Sequence, residues 1–431
     1  MADIYELMKK YGALMSSQDY PVGESAKMIL ETPDGVYETS EGADMADLKE
    51  EDIRLIESGS LPVKADGIKA IVYSETPYSM QCLREGRSFR ASLDDTAQII
   101  GPEVKIARLG RSETIDRLTL MRALKSSVGC LVDTGIRRNG LPLGYTVTMG
   151  RTLYEAVIAM TVLEKAAEVT ILADRIGGAK PLARLEARIM RDVYKKKYSV
   201  QEEAIRSREE GVSDAEAFSD AETEDNAAAD TEVAIKEKSY PPREAELREA
   251  LAEYGRRLVE TGLVQGTWGN ISVRLDDMHM LVTPSGLDYM RLGPDDMVRV
   301  EIATLNYEGS LKPTSEKGLH AEIYKRRLDV GAVIHTHSKY LSVFAAAEED
   351  MPVLSEYMDV FGTKVKLAAY GIPGSKKLMT NTASALGSNF GVIMAHHGMA
   401  ACGKDLETAF ENCRKLEENG KAYLDSGKDA G

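Results

Sequence analysis

Beyond Arg151 the chain carries Leu153, Ala156, Val157, Met160, Leu163 and Ala167 at three- and four-residue steps, an apolar stripe that predicts a helix. Gly177 and Gly178 stop it, Pro181 follows, and a second helix is expected through Leu185, Ile189 and Val193 to about residue 197. Upstream the runs are shorter. Residues 1 to about 20 read as a short amphipathic helix, 27–30 as a strand entering the Pro33-Asp34-Gly35 turn, and 67–73 and 104–107 as further apolar runs; residues 48–56 mix acids with Ile53, Leu55 and Ile56. After Pro241-Pro242, the spacing of Leu247, Leu251, Tyr254 and Leu258 predicts a helix that Gly262 ends. Strands are expected at 280–283 and 297–302, and a helix opens near 312–316 and passes His320 and Tyr324. The apolar run 331–334 leads into His335-Thr336-His337; on a strand those two imidazoles share a face and can grip one ion. A run from 391 ends in His396-His397-Gly398 ahead of a helix from Asp405.

At 431 residues one core is too few, so two domains are expected. Between about 199 and 239 acids crowd among Ala and Ser, with Phe218 almost the sole large apolar residue. Such a stretch cannot bury enough surface to order itself and predicts a solvated linker. The division is thus 1–198, an acidic linker 199–240, and 241–431. A net charge of -15 without a Lys/Arg stripe argues against nucleic acid as a partner. The N-terminus lacks a basic-then-apolar leader, and no run approaches membrane-spanning length. Cys82, Cys130, Cys402 and Cys413 lack CxxC spacing, which suits free buried thiols and a cytoplasmic location.

The two halves can be laid on one another in four blocks of the same order. Residues 29–35 match 281–286, 48–56 match 292–300, 99–107 match 360–368, and 150–156 match 403–409. In this register Tyr73 and Glu75 stand where the second copy has His335 and His337, and Leu143-Gly144-Tyr145 stands near His396-His397-Gly398. The first copy keeps the scaffold and lacks the imidazoles. All six histidines, including His279 and His320, lie in the second half. His335, His337 and one of His396/His397 can supply three imidazoles to a metal ion, and Glu316 a carboxylate. Taken singly, each histidine is more readily an ordinary core or surface residue; for the His335/His337 pair the two readings are about even.

The second copy, from about 244 to 424, resembles the class II aldolase/adducin family. The carriers are Trp268-Gly269-Asn270-Ile271-Ser272-Val273-Arg274, Thr283-Pro284-Ser285-Gly286, Thr314-Ser315-Glu316, His335-Thr336-His337 and His397-Gly398. The first copy resembles the fold more weakly, from about 20 to 197. The resemblance implies an α/β protein of two tandem α/β/α domains, each a central, mainly antiparallel sheet flanked by helices. It implies Zn²⁺, or another divalent metal, on His335, His337 and His397, and Glu316 moving the proton. Gly269, Asn270, Ser285, Gly286, Thr314 and Ser315 would hold a substrate phosphate, and small residues there let backbone approach an anion. It also places Tyr357 where a tyrosine is offered to a neighbouring subunit's site, and His320 behind the acid as a packed or supporting residue. The implied activity is a zinc-dependent lyase that cleaves a phosphorylated ketose through an enediolate. An epimerase, dehydratase or decarboxylase of a sugar phosphate on the same metal is the first alternative, and a non-catalytic adducin-like interaction module the second. The chain runs out soon after Leu424, so the family's tail with its catalytic tyrosine is expected to be shortened. Family members form four-fold rings, which implies a pseudo-tetramer of two chains.

Overall fold

The structure, a computed structural model, describes residues 2–17, 20–56, 61–62, 67–110, 112–194, 239–264 and 268–427. The acidic stretch 199–238 lies outside the described residues, as do Gly266 and Thr267. In the first half the strands are β1 (Lys27–Thr32), β2 (Gly35–Thr39), β3 (Ile53–Ile56), β4 (Ala70–Ser74), β5 (Phe89–Arg90), β6 (Glu103–Val104), β7 (Ile106–Arg108), β8 (Gly129–Arg138) and β9 (Leu141–Gly150). The second half has β10 (Gly269–Arg274), β11 (His279–Val282), β12 (Val298–Glu301), β13 (Ala332–Thr336), β14 (Met351–Pro352), β15 (Lys364–Val365), β16 (Leu367–Ala368), β17 (Gly391–Met394) and β18 (Gly398–Gly403). One seven-stranded sheet runs β3-β2-β1-β4-β9-β8-β7 and the other β12-β11-β10-β13-β18-β17-β16. Each has one parallel pair, β7 with β8 and β16 with β17. Each half adds a two-stranded ribbon, β5-β6 and β14-β15. The expected tandem architecture of two helix-flanked, mainly antiparallel sheets is what the chain forms.

The helices are α1 (Ala2–Ser16), α2 (Pro77–Arg84), α3 (Asp94–Ile99), α4 (Glu113–Ala123), α5 (Leu153–Ala173) and α6 (Arg184–Val193), then α7 (Pro242–Glu260), α8 (Lys317–Arg326), α9 (Lys339–Ala347), α10 (Met358–Phe361), α11 (Lys376–Leu386) and α12 (Leu406–Asp425). Strand alternation sorts them onto faces. Ala70 and Val72 of β4 pack with α1 and α5, while Ile71 packs with Leu120, Ala123 and Leu124 of or just after α4. In β13, Ala332 and Ile334 join the α7, α9 and α12 layer, and Val333 joins α8 and α11. In α6 the helix is where the pattern placed it, but Leu185, Ile189 and Val193 face outward, and Ala187 and Met190 are the buried residues.

The pairing tests the repeat residue by residue. Ala70 faces Gly150 across β4-β9 as Ala332 faces Gly403 across β13-β18, so Tyr73 does take the place of His335. Three of the four sequence blocks occupy equivalent elements. The first does not: β1 sits beside β4 as β10 sits beside β13, so residues 29–35 lie one strand away from 281–286. The side chains agree, because Met28 N–H donates to Thr39 Oγ1 (3.0 Å) and Ile271 N–H to Thr283 Oγ1 (3.2 Å). A second repeated device is a buried glutamate on each long helix. Glu417 of α12 accepts from Ser338 Oγ (2.8 Å), Tyr340 N (2.7 Å) and Leu341 N (3.1 Å), satisfying the first turn of α9. Glu164 of α5 does the same for α2 through Tyr78 N (2.6 Å), Ser79 N (2.9 Å) and Ser79 Oγ (2.6 Å). Helix starts carry orphan N–H groups that need such acceptors.

The halves share a core. Leu93, Val169, Leu172, Ala173 and Ile176 belong to the same apolar cluster as Leu341 and Phe344 of α9. Lys339 Nζ reaches Glu168 Oε1 at 2.7 Å across this seam. Glu417→Ala removes the acceptor of three buried or half-buried donors, and a loss of about 2–4 kcal/mol of stability is expected. A urea midpoint unchanged from wild type would contradict that.

Candidate metal centre

Strand β13 delivers His335, and the residue after its end delivers His337, on the sheet face shared with α8. The third imidazole needs a sharp turn. Between β17 and β18 the chain reverses through His396, which has φ +59, a left-handed conformation that His adopts more readily than most non-glycine residues. That turn points His397 back at the pair. The ring centroids of His335, His337 and His397 lie 4.7–4.9 Å apart. Their ligating nitrogens all fall within 4.8 Å of one another, and His335 Nε2 and His337 Nε2 are 3.1 Å apart. Two nitrogens on a tetrahedral zinc are about 3.3 Å apart, given Zn–N near 2.0–2.1 Å.

Glu316, the residue that starts α8, turns its carboxylate into the same point. Oε1 lies 2.8 Å from His397 Nε2 and Oε2 3.1 Å from His335 Nε2. A polar relay holds it. Asn270 Nδ2 donates to Glu316 Oε2 (3.0 Å), His320 Nε2 donates to Asn270 Oδ1 (2.5 Å), Ser272 Oγ donates to His320 Nδ1 (2.6 Å), and Tyr324 donates to Ser272 Oγ (2.8 Å). Burial pushes His320 down to about 3, so it is neutral and one ring nitrogen can accept while the other donates. His320 therefore supports the acid and does not ligate.

The remote nitrogens of the triad have outer partners. His335 Nδ1 donates to Met399 O (2.7 Å), which leaves Nε2 as the free lone pair. His397 Nδ1 donates to Asp94 Oδ2 (2.9 Å), a residue of the first half. His337 Nδ1 has no hydrogen bond and faces Asp95 Oδ2 at 3.7 Å. Asp95 in turn pairs with Lys165 (2.8 Å), whose Nζ also donates to His337 O (2.8 Å).

Burial depresses His335 to about 4 and His337 to about 3, so both are neutral and open to a metal. Burial also works against a charge on His397, but Glu316 and then Asp94 outweigh it and push the imidazole up to about 10. Burial raises Asp94, and His397 only partly opposes this. Both directions mean that the line Asp94-His397-Glu316 retains a proton. A donor set of three imidazoles, with one carboxylate beside it and two further buried acids behind, fits a divalent cation by charge and by ligand type.

Of the residues expected at the site, His335, His337, His397, Glu316 and Asn270 meet. Gly269 precedes Asn270 with φ +152, and a Cβ there would lie 2.9 Å from His335 O, so the strand entry needs glycine. Ser285 and Gly286 form the turn after β11, joined to the Thr314 segment through Ser285 N to Lys312 O (2.9 Å) and Thr314 N to Thr283 O (3.0 Å). Ser315 is exposed, Thr314 buried. Tyr357 is not brought to the triad: its hydroxyl faces Glu418 at 3.5 Å. In the 99–107 and 360–368 register, Thr96 is its counterpart, beside Asp94 and Asp95. Those acids and Lys165 are the residues that sequence reasoning missed. The signal was present, because the same register puts 94–96 opposite 355–357, the segment already assigned to a neighbour's site.

In the first half the equivalent position is filled. Tyr73 packs edge-on against Tyr145, centroids 5.4 Å apart, and Lys27, salt-bridged to Glu38 (2.6 Å), stands where Asn270 does. At Gly144, opposite His397 in register, an added Cβ would come within 1.9 Å of Val132 O.

The proton on His397 has a consequence for the metal-free protein. A raised folded-state value means that its stabilisation is complete below the unfolded value near 6.5 and is lost as pH rises toward 10. Denaturant midpoints should therefore fall between pH 6.5 and 10 in metal-stripped protein, and the fall should be blunted in His397→Gln; equal slopes in the two proteins would refute this.

Residues 249–424 match the family described as class II aldolase and adducin N-terminal domain. The chain is 31% identical over 177 residues to 5-deoxy-D-ribulose 1-phosphate aldolase of Bacillus thuringiensis, covering 41% of this chain and 83% of that protein. It is 35% identical over 179 residues to 5-methylthioribulose-1-phosphate/5-deoxyribulose-1-phosphate aldolase of Rhodospirillum rubrum, with 41% and 80% covered. With 3-oxo-tetronate 4-phosphate decarboxylase of Haemophilus influenzae it shares 31% identity over 186 residues, with 41% and 86% covered. The histidine triad, its acid and these likenesses agree that this chain belongs to the class II aldolase and adducin family.

Proposed function

We propose that the second half is a zinc-dependent lyase that cleaves a phosphorylated ketose. The observation that carries this reading is the convergence of His335, His337 and His397 with the Glu316 carboxylate at one buried point. A divalent cation on those imidazoles supplies a Lewis acid that polarises a carbonyl and its neighbouring hydroxyl. The rest falls to the chain. Glu316 is held well below the usual carboxylate range, because the charged His397 and the Asn270 N–H outweigh the burial that would neutralise it. It can accept the substrate hydroxyl proton as the carbon-carbon bond breaks, and later return a proton to the carbanion carbon. Asn270 pins one of its oxygens, which fixes the direction of that transfer. Since the Asn270 side chain serves Glu316, we assign the phosphate to the backbone at Gly269 and Gly286 and to Ser285, Thr314 and Ser315. The relatives named above for ketose-phosphate aldolases support this substrate class.

Decarboxylation of a sugar-acid phosphate is the second reading, favoured by the relative named for that reaction. Epimerase or dehydratase chemistry would use the same acid. A purely adducin-like scaffold would gain nothing from three converging buried imidazoles. Among the described residues no helix is long and apolar enough to cross a membrane, and all four cysteines are free and buried. We place the protein in the cytoplasm.

Two tests follow. His337→Ala should lose bound metal, whereas Glu316→Gln should retain it and lose about 10²–10⁴-fold in turnover on a phosphorylated ketose; full turnover in either variant would sink the assignment. We also propose that two chains close a pseudo-tetrameric ring, with the 355–361 segment docking on a second chain's first half as 94–99 docks within the chain. A monomeric mass at micromolar concentration would refute the ring.

A further inference from the structure

We propose that the first half, which lacks the imidazoles, is a working part of the metal site, with its Asp94 as the positioning residue for His397. The inference rests on the metal reading of the triad. Asp94 is fully buried at the start of α3, and its two oxygens have distinct tasks. Oδ1 accepts from Tyr370 OH at 2.9 Å, and Oδ2 accepts from His397 Nδ1 at 2.9 Å. The backbone around it is tied to the same turn: Asp94 N–H donates to His396 O (2.7 Å), and His396 Nδ1 donates to Ser92 O (2.9 Å). The carboxylate therefore cannot drift without the His396-His397 turn.

A carboxylate on Nδ1 does two things for a ligating imidazole. It fixes the tautomer so that Nε2 carries the lone pair, and it makes that nitrogen a stronger donor. His335 receives the first of these from Met399 O within its own half. His397 receives both, and only from the other half. On His337 the other half holds the backbone and not the ring: Lys165 donates to its carbonyl and pairs with Asp95, whose Oδ2 stays 3.7 Å from Nδ1 without a hydrogen bond. One of the three imidazoles is thus oriented across the seam, and the main chain of a second is held there. If Asp94 served only to join the halves, Tyr370 and the backbone bonds would suffice, and nothing would require the acid to face Nδ1.

The experiment uses the full chain, stripped of metal and titrated with Zn²⁺ against a chromophoric chelator, with Co²⁺ absorption as a second readout. Asp94→Asn preserves volume and should weaken Zn²⁺ binding by about 10- to 100-fold and alter the Co²⁺ bands. Tyr370→Phe keeps the carboxylate but frees its other oxygen, should weaken binding less, and serves if Asp94→Asn does not fold. Unfolding midpoints of the metal-free proteins separate orientation from adhesion. Lowered midpoints with unchanged Zn²⁺ affinity and Co²⁺ bands in the folded variants would overturn the proposal. A wild-type protein that binds no Zn²⁺ would instead remove the metal reading itself, and this proposal with it.

Discussion

One buried run of charge, Asp94 to His397 to Glu316, constrains most of what surrounds it. Two carboxylates out of water on either side of one imidazole are tolerable only with a positive charge between them, since an uncompensated buried ion costs several kcal/mol. A proton can supply that charge, and so can a metal cation. The neutral states of His335 and His337 belong to the same balance, because further cations are unwelcome when desolvated. As Asp94 comes from the first half, the electrostatics of the site and the docking of the halves are one problem. The apolar seam of α5 on α9 holds them together, and the acid gives that seam its register.

The repeat shows how one scaffold carries two contents. Strand order, the threonine that closes the first hairpin and the glutamate that caps the helix after the central strand recur in both halves. They are requirements of folding. Tyr73, Lys27 and Gly144 in place of His335, Asn270 and His397 are not, and the first half stands without the ligands. What it retains is the 94–96 segment, in register with 355–357, and it packs this against the half that kept the imidazoles.

Much of this was legible in the chain. Apolar periodicity located α5 and α7, and the order of blocks disclosed the repeat, because pattern and spacing are local quantities. The register of the first block was misread since Pro33-Asp34-Gly35 and Pro284-Ser285-Gly286 look alike as turns, while strand adjacency is a long-range property. Leu185, Ile189 and Val193 marked a helix without revealing that smaller residues face its core. Asp94 and Asp95 sit in no motif that the sequence offers, and Asn270 reads as an anion binder. Their partners, His397 and Glu316, lie far along the chain, and only the folded arrangement brings them within hydrogen-bonding distance.

Gly144 bears on whether the first half could regain an imidazole site. A side chain there would collide with the carbonyl of Val132 and with Leu83, whose Cδ2 would be 2.5 Å from the new Cβ. The backbone of β8 and the packing of α2 have closed over the space that the second half keeps open for His397. Restoring an imidazole at position 144 would require that carbonyl and Leu83 to move first. The asymmetry between the halves is in that sense a ratchet, set by a main-chain oxygen and not by the missing ligands.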